Sequence, residues 1–133
     1  MSPVRDKDQM IAQMAPKLDG RIWHFCTLSA PGPIADRALA WFEEDEGCSF
    51  ILPDDVVRQE GFPDGQPMAR ITLRVQSALD GVGLTAAVAG VLAEAGIPCN
   101  MVAAYHHDHA FVPWARRDEA MTLLHALSDR GAA

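Results

Sequence analysis

The chain has 133 residues, of which 49% are apolar and 22% charged, with a formal net charge of −7. This is the length and balance of one compact domain or of two very small halves sharing a core. The acidic balance, with scattered Lys and Arg, argues against nucleic-acid and anionic-membrane surfaces, and no apolar run approaches the roughly 20 residues that span a bilayer.

In chain order, residues 1–20 begin polar and then become helical in pattern. Met10, Ile11 and Met14 fall on one face, with Pro16 and Gly20 as the stop. The polar start, without an apolar h-region, is not a signal peptide, and a cytoplasmic location is the expectation. Arg21–Leu28 reads as a strand, followed by a turn over Ser29–Pro33. Ala38–Phe42 and Cys48–Leu52 are short apolar runs, and the acidic segment Glu43–Gly47 between them reads as a solvated hairpin tip. Pro53 starts a short helix with Asp54 and Asp55 in its first turn, ending at Gly61, and Phe62–Pro67 is the best linker. The three cysteines, Cys26, Cys48 and Cys99, form no CxxC or zinc pattern, and each is expected as a buried, reduced thiol.

Met68–Val75 alternates, with Ile71, Leu73 and Val75 on one face, as in a half-buried strand. Leu84, Ala87, Val88, Val91, Leu92 and Ala95 keep the spacing of an amphipathic helix, which Gly96 and Pro98 stop. Cys99–Tyr105 and Ala110–Val112 are strands around a His106–His109 turn, and Arg117–Leu127 is a last helix with Ala120, Leu123, Leu124 and Leu127 inward. The second half therefore runs strand, helix, strand, strand, helix, the split βαβ order of a ferredoxin-like module without its final strand. Two such halves, 1–66 and 67–133, side by side give an α+β fold, mainly antiparallel, with helices on one face.

The segments Arg70–Ser77, Val82–Ala86, Gly96–Asn100 and Tyr105–Pro113 resemble the ACT-domain superfamily, most of all its small stand-alone bacterial proteins of two ACT-like halves. The similarity is dense from Met68 to Leu127 and looser over Ile22–Thr27 and Trp41–Gly47. The resemblance implies a tandem βαββαβ fold and a regulatory rather than catalytic role. It also implies an amino-acid ligand where modules meet, and a homodimer. It points to the loop Ser77–Thr85, in particular Ser77, Asp80, Gly81, Val82, Gly83, Leu84 and Thr85, and to Asn100 on the next strand.

The residues themselves fit that implication. Gly81 and Gly83 permit close backbone approach, and the N–H groups of Gly83, Leu84 and Thr85 at a helix start suit an α-carboxylate. Asp80 is the acidic group nearest in sequence for an ammonium, and the amide of Asn100 suits either end of the ligand. The plain alternative is a tight strand-to-helix turn. Three other constellations point to other functions. His106, His107, Asp108 and His109 suggest zinc or nickel, but on a hairpin only alternate side chains converge, so His107 and His109 would need a third ligand. A bland hairpin turn is the stronger reading. Ser77, Cys99 and the histidines form no recognisable catalytic motif, and Ala86 stands where a GxGxxG needs its third glycine. No cofactor is expected. A structural or protein-interaction module with no small ligand is the runner-up function.

Overall fold

The computed structural model describes residues 6–63, 65–75 and 82–132. The elements are α1 (Lys7–Ala12), β1 (Lys17–Leu28), a 3-10 helix (Gly32–Arg37), β2 (Ala40–Glu44), β3 (Gly47–Pro53) and α2 (Asp54–Glu60). Then come β4 (Met68–Leu73), α3 (Leu84–Glu94), β5 (Asn100–Ala103), β6 (Asp108–Pro113), a 3-10 turn (Trp114–Arg116) and α4 (Arg117–Ala132). The chain packs as two units. One gathers Met1–Asp19 with Ala69–Ala133, and the other, Gly20–Met68, is inserted between those parts.

The larger unit has the strand order β4-β6-β5, with β5 and β6 antiparallel. Its core lies on one face of these strands. The alternation of β4 sends Ala69, Ile71, Leu73 and Val75 inward beside Ala110 and Val112 of β6. Against them pack Leu84, Val88 and Leu92 of α3, Ala120 and Leu124 of α4, and Met10, Ile11 and Met14 from α1 and its C-terminal end. The stop of α3 is a Schellman motif: Gly96 N–H donates to the Ala93 carbonyl and Ile97 N–H to that of Leu92, both at 2.9 Å. Gly96 takes φ +72, as that motif requires.

The inserted unit repeats the same order with a 3-10 helix in place of the first α-helix. Its strands run β2-β3-β1, and both neighbouring pairs are antiparallel. Cys48, Phe50 and Leu52 of β3 face Ile34, Val56 and Val57 in a small second core. The α+β, ferredoxin-like reading therefore holds, with helices against one face of the strands in each unit.

Several local expectations change. Gly20 does not end the first helix but lies within β1, which starts at Lys17; extended backbone accepts glycine at a modest cost in stability. A 3-10 helix begins at Gly32, inside the expected turn Ser29–Pro33. Glu43 and Glu44 belong to β2, because Glu44 pairs with Gly47 and leaves only Asp45 and Glu46 at the tip. The last helix extends past Leu127 to Ala132. Cys48 is buried, but Cys26 and Cys99 are only half-buried.

Leu92 is fully buried between α3 and the strands. Truncation by Leu92→Ala should lower the unfolding free energy by about 2–5 kcal/mol, through lost burial and a residual cavity. Urea denaturation with an unchanged slope is the check.

Candidate functional site

Ser77, Asp80 and Gly81 lie outside the described residues. Val82, Gly83, Leu84 and Thr85 form the start of α3. Gly83 is the N-cap, with φ +109, and its carbonyl accepts the Ala87 N–H at 2.9 Å. Gly83 itself has no side chain with which to cap this end. An uncapped helix start leaves N–H groups and partial positive charge for an outside acceptor. Leu84 anchors the turn in the core, whereas Val82 is 79% exposed.

A residue that sequence reading missed joins this end. The alkyl chain of Lys7 lies across Gly83, so that a β-carbon on Gly83 would stand 2.8 Å from Lys7 Cδ. Lys7 thus brings a cation to a helix end that is already positive, an arrangement that favours an anion between them. Its only trace in the sequence is a lysine at the start of the first helix. Nothing local says which loop that helix meets.

Asn100 is exposed and opens β5 opposite Phe111. In the β4–α3–β5 crossover the helix runs back along the strands, so Asn100 belongs to the end where α3 finishes. The 11 residues of α3 separate that end from Gly83 by roughly 16 Å. One copy of the unit therefore does not bring Asn100 to the helix start.

The His106–His109 turn resolves differently. His109 projects from β6 toward β4, where its Nδ1 accepts from Arg70 Nε at 3.3 Å and lies 3.1 Å from Thr72 Oγ1. Arg70 also meets Asp19 at 3.5 Å. A guanidinium N–H on Nδ1 requires its lone pair, so the ring is neutral with its proton on Nε2. Burial, then the charge of Arg70, then His107 push the His109 pKa below its ordinary value. A metal ion would have to displace a cation from the nitrogen it needs. Among the described residues no three His, Cys, Asp or Glu side chains gather as a metal site.

In the inserted unit His24, 8% exposed, shares a 2.7 Å hydrogen bond between its Nε2 and Asp54 Oδ1, and Arg58 Nε donates to Asp54 Oδ2 at 2.7 Å. These contacts fasten the start of α2 to β1. Burial pushes the thiols of Cys26 and Cys99 up, away from the reactive thiolate.

Taken together, the two units define a pair of split βαβ modules of the ferredoxin pattern, one of them with a glycine-capped helix start. Comparison with known proteins agrees. One ACT-domain model matches residues 2–69 and another matches 69–126. The chain belongs to the ACT-domain family. A Vibrio cholerae protein of unknown function, a possible transport protein, is 37% identical over 87% of this chain and 91% of that one, with a TM-score of 0.77. An Agrobacterium tumefaciens protein is 21% identical over 85% and 89%, with a TM-score of 0.67. The ligand-free regulatory subunit of aspartate kinase from Thermus thermophilus shares the fold at 12% identity, over 87% and 97%, with a TM-score of 0.65. No curated protein matches the chain. ACT domains are regulatory modules that bind small ligands and often dimerise. Among the described residues no helix is long and apolar enough to cross a membrane.

Two outcomes follow from this geometry. Gly83→Ala should cost about 1–3 kcal/mol in thermal or urea unfolding, because the left-handed backbone and Lys7 both oppose a β-carbon. His109 should titrate by NMR below about 6.5, and Arg70→Met should raise its pKa. Because the unfolded chain binds that proton more readily, this contribution to stability is present above about pH 6.5. It is lost as the pH falls toward the folded value.

Proposed function

We propose that this protein is a cytoplasmic regulatory module that binds a free amino acid and performs no chemistry of its own. The ligand carboxylate rests on the start of α3, over Val82, Gly83, Leu84 and Thr85. The observation that carries this reading is the helix start at Gly83, which offers no capping side chain of its own and has Lys7 across it. Family membership supports the ligand class. In sequence the two ACT-like halves of this reading are 1–66 and 67–133, and Ser77, Asp80 and Gly81 complete the loop, with Asp80 meeting the ammonium. Asn100 contributes from a second copy. In the strand order β5 is terminal, so its free edge suits side-by-side pairing in a homodimer.

Isothermal calorimetry and thermal shift with the proteinogenic amino acids test this. One amino acid should raise the melting temperature by several degrees at about 100 times its Kd, where linkage gives roughly 2.7 kcal/mol. Lys7→Glu should weaken it about 5- to 30-fold by replacing attraction with repulsion, a change of roughly 1–2 kcal/mol. Full affinity in Lys7→Glu would move the carboxylate elsewhere.

A second reading rests on Phe25 and Phe42, which are 47% and 69% exposed. Alternation and pairing put them on the face of β1 and β2 away from the helices of the inserted unit. That face suits a protein partner, and a flat response to every amino acid would favour it.

A further inference from the structure

We propose that the free edge of β2 docks an extended segment of another protein, apolar in its body and basic at its N-terminal end, which joins the sheet as an added antiparallel strand. The site goes beyond the partner face of β1 and β2. That face offers side chains on one surface, this edge offers backbone groups at the rim, and the two share Phe42.

The strand Ala40–Glu44 is terminal and pairs with β3 alone. In an antiparallel ladder alternate residues bond across to the neighbour, so the others turn their N–H and C=O groups to the open side. Side chains distinguish this edge from the other one. Among the described residues the other terminal strand, β5, exposes no large apolar side chain. In β2, Trp41 and Phe42 are 44% and 69% exposed, and Leu39 just before it is 37% exposed. Trp41 lies on the helix side, where its ring stacks on Phe50 of the small core at 6.3 Å, and alternation puts Phe42 on the opposite side. An added strand therefore finds apolar contact on both faces as well as backbone partners, the combination that strand addition uses.

Charge sets the class of partner. The strand ends in Glu43 and Glu44, and the tip adds Asp45 and Glu46. Glu44 accepts a hydrogen bond from Ser49 Oγ, but among the described residues no Lys or Arg pairs with any of the four. An incoming cation relieves the repulsion between these carboxylates. Antiparallel addition, the slightly more stable pairing, sets the N-terminal end of the incoming segment beside them, so its Lys or Arg residues belong there. A second copy of the chain brings the same carboxylates and a net charge of −7, which oppose its approach.

The test is an NMR titration of the full chain with the acetylated, amidated peptide Lys-Lys-Val-Thr-Val-Thr-Val. Saturable shifts and slowed amide exchange should appear within residues 40–44. Glu-Glu-Val-Thr-Val-Thr-Val reverses the charge, and Lys-Lys-Val-Pro-Val-Pro-Val keeps it but loses two backbone donors. Each should bind at least tenfold more weakly. Raising the salt from about 50 to about 300 mM should weaken the first peptide severalfold by screening exposed charges. Glu43→Lys with Glu46→Lys, both at exposed positions, should weaken it at least tenfold. The proposal is overturned if no saturable shift appears at millimolar peptide, or if either control peptide binds as well as the first. Shifts at Phe25 and Ile51 without slowed exchange in 40–44 would also overturn it while supporting the partner face. Slowed exchange in 40–44 that grows with protein concentration in the absence of peptide would give the edge to a second copy and overturn it as well. The peptide comparison uses the unmodified protein, so the test survives if the double substitution disturbs folding.

Discussion

The larger unit depends on how closely α1 approaches α4. Gly131 is the point of contact: a β-carbon there would stand 2.8 Å from Ile11 Cγ2 and 3.2 Å from the Ala12 nitrogen. Only a residue without a side chain admits the helix to that depth. Ser128 Oγ donates to the Ala12 carbonyl at 3.0 Å beside it. Beyond α1 the backbone is pinned to the end of β4, where Arg74 N–H donates to the Met14 carbonyl at 2.6 Å and Arg74 Nε to that of Ala15 at 2.9 Å. Ala15 accepts φ +42 there, a left-handed conformation uncommon outside glycine. A helix of six residues has no stability of its own in water. Burial of Met10 and Ile11, with Met14 just beyond, holds it, and that same docking carries Lys7 to Gly83.

This dependence explains what was legible in the sequence. The alternation of β4 and the Leu84–Ala95 stripe could be read because each records a single face turned to a core. Gly96 and Gly61 could be read as stops because left-handed backbone at a helix end selects glycine. The start of β1 could not, since Lys17 to Gly20 holds one apolar side chain, Leu18, and so no alternation to mark it. The 3-10 helix was hidden by Pro31, Gly32 and Pro33 at its start, which read equally as a turn. The exposure of Cys26 and Cys99 follows from strand faces and edges that local composition does not specify.

The candidate site was legible only in part, for a related reason. Glycines before an apolar helix announce its start, and Val82–Thr85 stand there. Asn100 came from the resemblance alone, because distance along the chain says nothing about which end of a crossover a residue occupies, and within one unit α3 separates it from that loop. Lys7 was invisible because its partner lies in another part of the chain. The histidine turn shows the opposite error of scale. Four ligand-type residues in a row suggested a metal, but the strand partner Arg70 decided the chemistry of His109.

The insertion of Gly20–Met68 into the larger unit has a consequence for assembly. Ser128 and Ala12 are 116 residues apart in the chain. A ribosome releases α1 long before it makes the helix that α1 packs against, so the inserted unit has its sequence complete first while α1 waits with its methionines in water. Such long-range contacts slow folding, because the loop must close before burial rewards it. The same interruption governs dissection. A cut near Met68 yields a fragment from Ala69 onward that has lost Met10, Ile11 and Met14 from its core, so the apparent midpoint of the chain is a poor place to divide it.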